Sequence, residues 1–176
     1  MQRRKLRILA SALGAAGLAA GCLLAPAAAS AAATPRCLSE NLRVRFIRDN
    51  GYAGGYVYDV LWQNEGTSVC TLTGYPGTSA LGSLKRVLGK PAGRDVVYPV
   101  TTVTIPTGGI VVSFLRITDV AAYSKAVCNQ ALASFLRIYP PGAFLPDVIN
   151  TAGGIQVCRN ARASAPVYMA TSPVVP

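Results

Sequence analysis

Short runs of alternating apolar and polar residues begin near residue 42. In Leu42-Arg43-Val44-Arg45-Phe46 the apolar residues fall on one side and both arginines on the other. Residues 56–63 keep the same two-residue period, with Tyr56, Tyr58, Val60 and Trp62 on one face. A period of two is that of a β-strand with one buried face, so both segments are predicted to be strands.

Further apolar runs lie between segments rich in turn-forming residues. We predict strands at residues 69–73, 83–87, 96–98, 101–105, 110–117, 135–139, 155–158 and 166–170. Residues 49–51 and 74–77 are predicted turns, and residues 64–68 are predicted to be a hairpin loop. Residues 118–134 are the helix candidate, at most a few turns long. The pattern predicts an all-β fold, an antiparallel immunoglobulin-like β-sandwich with at most one short helix.

The first 33 residues follow a different pattern. Four basic residues precede Ile8, and no charged residue follows until Arg36. An Ala-rich stretch then ends in small-residue cleavage sites, which is typical of a signal peptide. We therefore predict a signal peptide at 1–33 and a single secreted domain at 34–176. Two alternatives stay open at this point: lipidation at Cys22, and an uncleaved segment that anchors the chain in a membrane.

Four cysteines, Cys37, Cys70, Cys128 and Cys158, belong to the predicted secreted domain. An even number in an exported chain indicates structural disulfides, whereas a metal or redox site would favour closely spaced CxxC pairs, which are absent. Four cysteines allow three pairings. We expect the sequential one, Cys37 with Cys70 and Cys128 with Cys158, which closes two loops of about thirty residues.

Charge and composition narrow the possible chemistry. The chain has 17 basic residues, seven acidic residues and no histidine. Histidine-dependent triads and histidine-ligated zinc are therefore excluded. We expect no enzyme activity, no cofactor and no metal site. Removing residues 1–33 takes away four basic and no acidic residues, which leaves a net charge of +6.

Six basic residues are the candidate binding residues. Two share one face of the first strand and four cluster within ten residues: Arg43, Arg45, Lys85, Arg86, Lys90 and Arg94. We expect them either to keep the domain soluble or to attract an anionic component of the cell envelope. We then expect a secreted, extracellular domain that is either free or associated with the envelope, with no nucleic-acid partner. The alternative function is an extracellular protein-interaction module or accessory subunit. We expect attachment to a membrane only if Cys22 is lipidated or the signal peptide stays uncleaved. The sequence does not determine the oligomeric state.

Two further groups have weaker interpretations. Tyr52, Tyr56 and Tyr58 lie near a Gly-rich loop and are candidates for a sugar-stacking platform, but the alternation predicts Tyr56 and Tyr58 in the core. Asp49 and Asp59 are the close carboxyl pair that a glycoside hydrolase would need. The simpler interpretation is that Asp49 is a turn residue and Asp59 a strand residue.

The chain also resembles a known family. The motif Cys70-Thr71-Leu72-Thr73-Gly74-Tyr75-Pro76-Gly77, together with Pro140-Pro141-Gly142 between the last two cysteines, is similar to domain-of-unknown-function family 4232, which consists of exported actinobacterial proteins. The resemblance runs from about Cys37 to Pro173. It implies an exported all-β domain, with some members lipid-anchored, and it implies no known activity. Tyr56 stands where members often have histidine.

Overall fold

The computed structural model describes residues 32–162 and 164–176, except for the side chains of residues 48–50. Residues 1–31 of the predicted signal peptide, including Cys22, therefore lie outside the described residues. Among the described residues, no helix has the length and apolar composition needed to cross a lipid bilayer.

The described residues form eleven strands, which follow one another along the chain. They are β1 (Leu42–Tyr52), β2 (Gly55–Asn64), β3 (Cys70–Thr73), β4 (Gly77–Leu81), β5 (Val87–Leu88), β6 (Gly93–Arg94), β7 (Thr102–Ile105), β8 (Ile110–Thr118), β9 (Gln130–Tyr139), β10 (Asp147–Cys158) and β11 (Met169–Thr171). The helical segments of this part of the chain are two 3₁₀ turns, Ser39–Asn41 and Val120–Ala122.

The strands form three sheets. The largest has the order β1-β2-β8-β11-β6, the second β10-β9-β4-β5, and the third pairs β3 with β7. Neighbouring strands are antiparallel except for the short β11–β6 pair. The fold is thus the predicted all-β sandwich.

The inner faces of the two larger sheets share one hydrophobic core. Val60 and Trp62 of β2 and Leu115 of β8 are fully buried, as are Leu136 and Ile138 of β9. The alternation seen in the sequence therefore reports a real inner and outer face.

One polar contact lies within this core. The indole nitrogen of Trp62 donates a hydrogen bond of 2.9 Å to Ser113 Oγ on β8. Both residues are fully buried, so the hydrogen bond offsets the cost of removing the indole N–H from water.

Both disulfides have the sequential pairing that was predicted. Cys37 is bonded to Cys70 and thereby attaches the segment before β1 to the start of β3. Cys128 is bonded to Cys158 and joins the turn before β9 to the end of β10. Each bridge restricts the unfolded chain and so stabilises the fold by roughly 3–4 kcal/mol in the chain-entropy model.

The predicted helix at 118–134 is wrong for most of its length. Only Val120–Ala122 is helical, as a 3₁₀ turn, and the segment from Gln130 onward belongs to β9. Ala131 and Ala133 pair with Val157 and Ile155 of β10. Sheet pairing next to the Cys128–Cys158 bridge outweighs the weak helix preference of this Ala-containing segment.

Several smaller predictions are also wrong. The strand expected at 83–87 is displaced, because Gly77–Leu81 forms the strand and Gly82 begins a turn. Residues 96–98 form an exposed turn. Residues 64–68 join strands of two different sheets, so they are not a hairpin loop. The turn expected at 49–51 lies inside β1, which continues to Tyr52 through a bulge.

Candidate functional site

The two candidate basic residues of β1 lie on its exposed face. Arg43 and Arg45 are both exposed, whereas Val44 and Phe46 are half-buried. Arg43 Nη1 lies 3.1 Å from Glu65 Oε1. Because both side chains of this ion pair are well exposed, it contributes at most about 1 kcal/mol of stability. It nevertheless gives Arg43 a carboxylate neighbour that partly neutralises its charge.

The surface beside Arg43 is not a basic one. A shallow depression there is lined by Arg43, Glu65 and Asp147, among others. Burial raises the pKa of Asp147, because desolvation disfavours its charged form. With one cation and two carboxyl groups, this depression offers little attraction for an anion.

Lys85 and Arg86 lie in the turn between β4 and β5. Lys85 has a positive φ of 56° and its ammonium lies 5.5 Å from the centre of the Phe135 ring. Arg86 is exposed. These two cations therefore project from one edge of the four-stranded sheet.

Lys90 and Arg94 have structural partners. Lys90 is only partly exposed and its Nζ donates a hydrogen bond of 2.6 Å to the carbonyl oxygen of Ala165. The Arg94 guanidinium lies 5.3 Å from the centre of the Tyr75 ring, which is cation–π geometry. Lys90 thus fixes a backbone segment, and only Arg94 of this pair is exposed.

The fold does not bring the six candidates into one patch. Arg43 and Arg45 lie on β1 and Arg94 on β6, which are the opposite edges of the five-stranded sheet. Four strand spacings of about 4.8 Å separate those edges, or about 19 Å. Lys85 and Arg86 belong to the edge of the other sheet. Closeness in sequence therefore did not predict closeness in space.

A small cleft opens beside the start of β2. Its volume is about 200 Å³, and its lining includes Tyr56, Tyr58, Asp119 and Gln156. Tyr58 is buried, but Tyr56 is 38% exposed, so the prediction of a core position is wrong for Tyr56. The partner of Tyr56 on β1 is Gly51, which has no side chain to cover the ring.

A second cleft of similar volume shares Tyr58 with the first as a lining residue. Phe46 and Tyr58 form part of its wall, and their rings stack with centroids 4.6 Å apart. The opposite wall is the irregular part of β10, at 150–154. Gly154 has a φ of +90° there, and a Cβ at this position would collide with Leu132, so the bulge requires glycine.

The three tyrosines do not form one platform. Tyr52 is 37% exposed, and the Arg116 guanidinium lies 5.4 Å from the centre of its ring. Its hydroxyl also lies 2.6 Å from the position that a Cβ at Gly55 would take. Tyr52 therefore packs over the start of β2, Tyr58 belongs to the core, and Tyr56 is the tyrosine of this group that lines the first cleft with an exposed ring.

The carboxyl pair does not flank a described cleft. Asp59 is half-buried in the middle of β2, opposite Ile47 on one side and Phe114 on the other. Asp49 is the extra residue of the β1 bulge. The carboxyl group that lines the first cleft is that of Asp119. It accepts a hydrogen bond of 2.9 Å from the Ala121 amide and so caps a 3₁₀ turn.

The described residues contain no group of three or more cysteine, aspartate or glutamate side chains that could together hold a metal ion. All four cysteines of this part of the chain are in disulfides.

Residues 37–166 match the protein-family model described as "Domain of unknown function (DUF4232)". The chain belongs to this family. No curated protein and no solved structure matches it. The family resemblance noted from the sequence is therefore confirmed for residues 37–166 of this DUF4232 domain.

The family motif has a clear structural role in this DUF4232 domain. The run Cys70–Thr73 is β3, which carries one half of the first disulfide. Gly74 then turns the chain with a φ of 99°, and β4 starts at Gly77. The motif thus passes the chain from the small two-stranded sheet into the four-stranded sheet, and its residues explain fold rather than activity.

Proposed function

We propose that this DUF4232 domain is an exported, non-catalytic binding module that attaches to an anionic component of the cell envelope. The observation that carries the proposal is unneutralised positive charge on the surface. Ion pairs join Arg43 to Glu65 and Arg116 to Asp95. Arg45 and Arg86, by contrast, have no carboxylate within 4 Å among the residues that the structure describes. Such a surface attracts polyanions and is weakened by salt.

Export is supported by two features. The sequence begins with the charge and hydropathy pattern of a signal peptide. The described domain contains two disulfides, which persist in oxidising compartments outside the cytoplasm. The absence of histidine and the position of Asp59 outside the clefts favour a binding role over hydrolysis.

The test is retention of the purified, oxidised protein on envelope fractions of its own host across a salt series. We expect retention at low salt and release by about 0.5 M salt, because screening shortens the range of charge attraction to a few ångströms. The matched control is the same envelope fraction after chemical removal of its anionic polymers, which should retain little protein. An absence of retention at low salt would contradict the proposal.

A protein-interaction module is the second candidate, and one observation favours it. The loop between β9 and β10 exposes Phe144 by 93% and Leu145 by 64%. Large apolar side chains this exposed are common at protein interfaces. Salt-resistant capture of a single envelope protein, lost in Phe144→Ser with Leu145→Ser, would support this function instead. Val96→Ser with Val97→Ser removes similarly exposed apolar side chains elsewhere and is the control.

A further inference from the structure

A shallow groove runs beside the Cys128–Cys158 disulfide. Its volume is about 600 Å³, and it is lined by Lys125, Ala126, Asn129, Asn160 and Arg162. We refer to it as the disulfide groove. Two of its five lining residues are cationic, two carry amides and none is acidic.

Lys125 and Arg162 lie far apart in sequence, and the fold brings them together. Lys125 precedes Cys128 by three residues, and Arg162 follows Cys158 by four. The bridge between these two cysteines therefore joins the two halves of the groove. Lys125 lies in the segment that was predicted to be helical, and neither residue was among the six candidate binding residues, although the predicted disulfide pairing already placed them near each other.

Hydrogen bonds fix the first wall of the groove. The amides of Val127 and Cys128 both donate to the carbonyl oxygen of Ser124. The amide of Asn129 donates to Lys125 O over 2.9 Å. Residues 124–129 thus form a hydrogen-bonded turn. This turn fixes the backbone from which the side chains of this wall extend.

The second wall is bonded to the first. The Asn160 side-chain amide donates to the carbonyl oxygens of Ala126 and Val127, each over 3.0 Å. The backbone amide of Asn160 donates to Cys128 O. Together with the disulfide, these contacts hold both walls in one arrangement before any ligand arrives, which lowers the entropy cost of binding.

The charges of the groove are available to a ligand. Lys125 and Arg162 are exposed. Neither has a carboxylate within 4 Å among the residues that the structure describes, in contrast to Arg43. Asn160 uses its side-chain donor within the loop, so the remaining donors come from Lys125, Arg162 and Asn129. An ammonium and a guanidinium beside an amide are donors suited to phosphate oxygens.

We propose that the disulfide groove binds the phosphodiester groups of an anionic polymer, an inference that rests on the proposed function and gives its site. A polymer fits better than a membrane surface for one reason. The lining contains no large apolar side chain, and surfaces that insert into a bilayer need such side chains.

The test measures the affinity of the purified protein for poly(glycerol phosphate) at low salt. The groove variant is Lys125→Glu with Arg162→Glu. The matched control is Arg36→Glu with Arg116→Glu, which changes the net charge by the same amount at two exposed arginines outside the groove whose partners are the carbonyl oxygen of Gly142 and Asp95. We expect about a tenfold loss of affinity in the groove variant and less than about a threefold loss in the control. Equal melting temperatures establish that both variants fold.

The outcomes separate the groove from the proposed function. Equal losses in both double variants would overturn the groove and leave general attraction to polyanions intact. A wild-type protein that binds neither the polymer nor its envelope fraction would overturn both. Vesicles containing phosphatidylglycerol present the same glycerol phosphodiester on a membrane. Binding to vesicles but not to the free polymer would overturn the assignment to a polymer.

Discussion

At the scale of single residues, Asn64 connects three parts of the fold. Its side-chain nitrogen donates to Ser68 O and to Ile105 O, and its Oδ1 accepts from the Gly66 amide. The residue is 1% exposed. One buried amide therefore joins the end of β2, the turn after it and the end of β7.

We predict that Asn64→Ala lowers the free energy of unfolding by about 2–4 kcal/mol, because it removes three hydrogen bonds and leaves the carbonyl of Ile105 buried without this donor. Urea unfolding measures the change. Gln63→Ala is the control, because the neighbouring side chain lies on the outer face and its loss should cost less than about 1 kcal/mol. Equal effects of both substitutions would contradict the role of Asn64.

Asp147 is a residue whose protonation affects stability. Burial raises its pKa above the ordinary value of 3.8. The unfolded state keeps the ordinary pKa, and the folded state has a higher one. At pH values between the two, the folded state binds more protons than the unfolded state, so stability falls as the pH rises through this window. We predict that Asp147→Asn raises the melting temperature at pH 7 and that this gain disappears below about pH 3.8, where the carboxyl is protonated in both states.

The control for Asp147 is Asp119→Asn. Asp119 is an exposed carboxyl that caps a 3₁₀ turn, and asparagine caps equally well, so this variant should not gain stability at pH 7. A lower melting temperature for Asp147→Asn at pH 7 would mean that the charged carboxylate is stabilised by a neighbour such as Arg43.

At the scale of elements, strands with one buried face were the predictable part. Residues 42–46 and 56–63 alternate clearly, and each lies within a longer strand, β1 or β2. Alternation reports burial directly, because successive side chains point to opposite faces. It does not report where pairing ends, which is why β1 continues through the Asn and Gly residues taken for a turn.

One strand without alternation, β4, was missed. In β4 four consecutive residues, 78–81, are buried, and its sequence of Gly, Thr, Ser, Ala and Leu has no strong strand signal. Residues 96–98 have such a signal but lie exposed in a turn. For short segments, the neighbouring strands decide the structure more than intrinsic preference does.

The binding residues were predictable only in part. Arg43 and Arg45 share a face because both belong to one strand, a local relation that the sequence contains. The disulfide groove needs a contact across the fold, between residues 37 positions apart. The sequence feature that indicated this contact was the predicted pairing of Cys128 with Cys158.

The two disulfides allow a matched test of that groove at the element scale. They close loops of similar length, with separations of 33 and 30 residues, so each removal should cost roughly 3 kcal/mol of stability. We predict that Cys128→Ser with Cys158→Ser also weakens binding to poly(glycerol phosphate), whereas Cys37→Ser with Cys70→Ser does not. Urea unfolding and the binding assay at a temperature where both variants stay folded measure the two effects. Equal affinities would contradict a role of the bridge in shaping the groove.

At the scale of the whole molecule, the absence of histidine makes the charge nearly independent of pH near neutrality. The reference pKa values of lysine and arginine lie well above this range, and those of aspartate and glutamate, near 4, lie well below it. Only the α-amino group of the N-terminus normally titrates between pH 6 and 8, so the net charge changes there by less than about one. A phosphodiester polymer also keeps its charge over the same range.

We therefore predict that affinity for poly(glycerol phosphate) stays constant within about twofold between pH 6 and 8 and falls steeply with added salt at every pH. Below about pH 4.5 the affinity should rise, because protonation of carboxylates increases the positive charge. Isothermal titration across pH, repeated at two salt concentrations, measures both dependences. A binding transition with a midpoint between pH 6 and 7 would contradict recognition by lysine and arginine alone, since neither group titrates there.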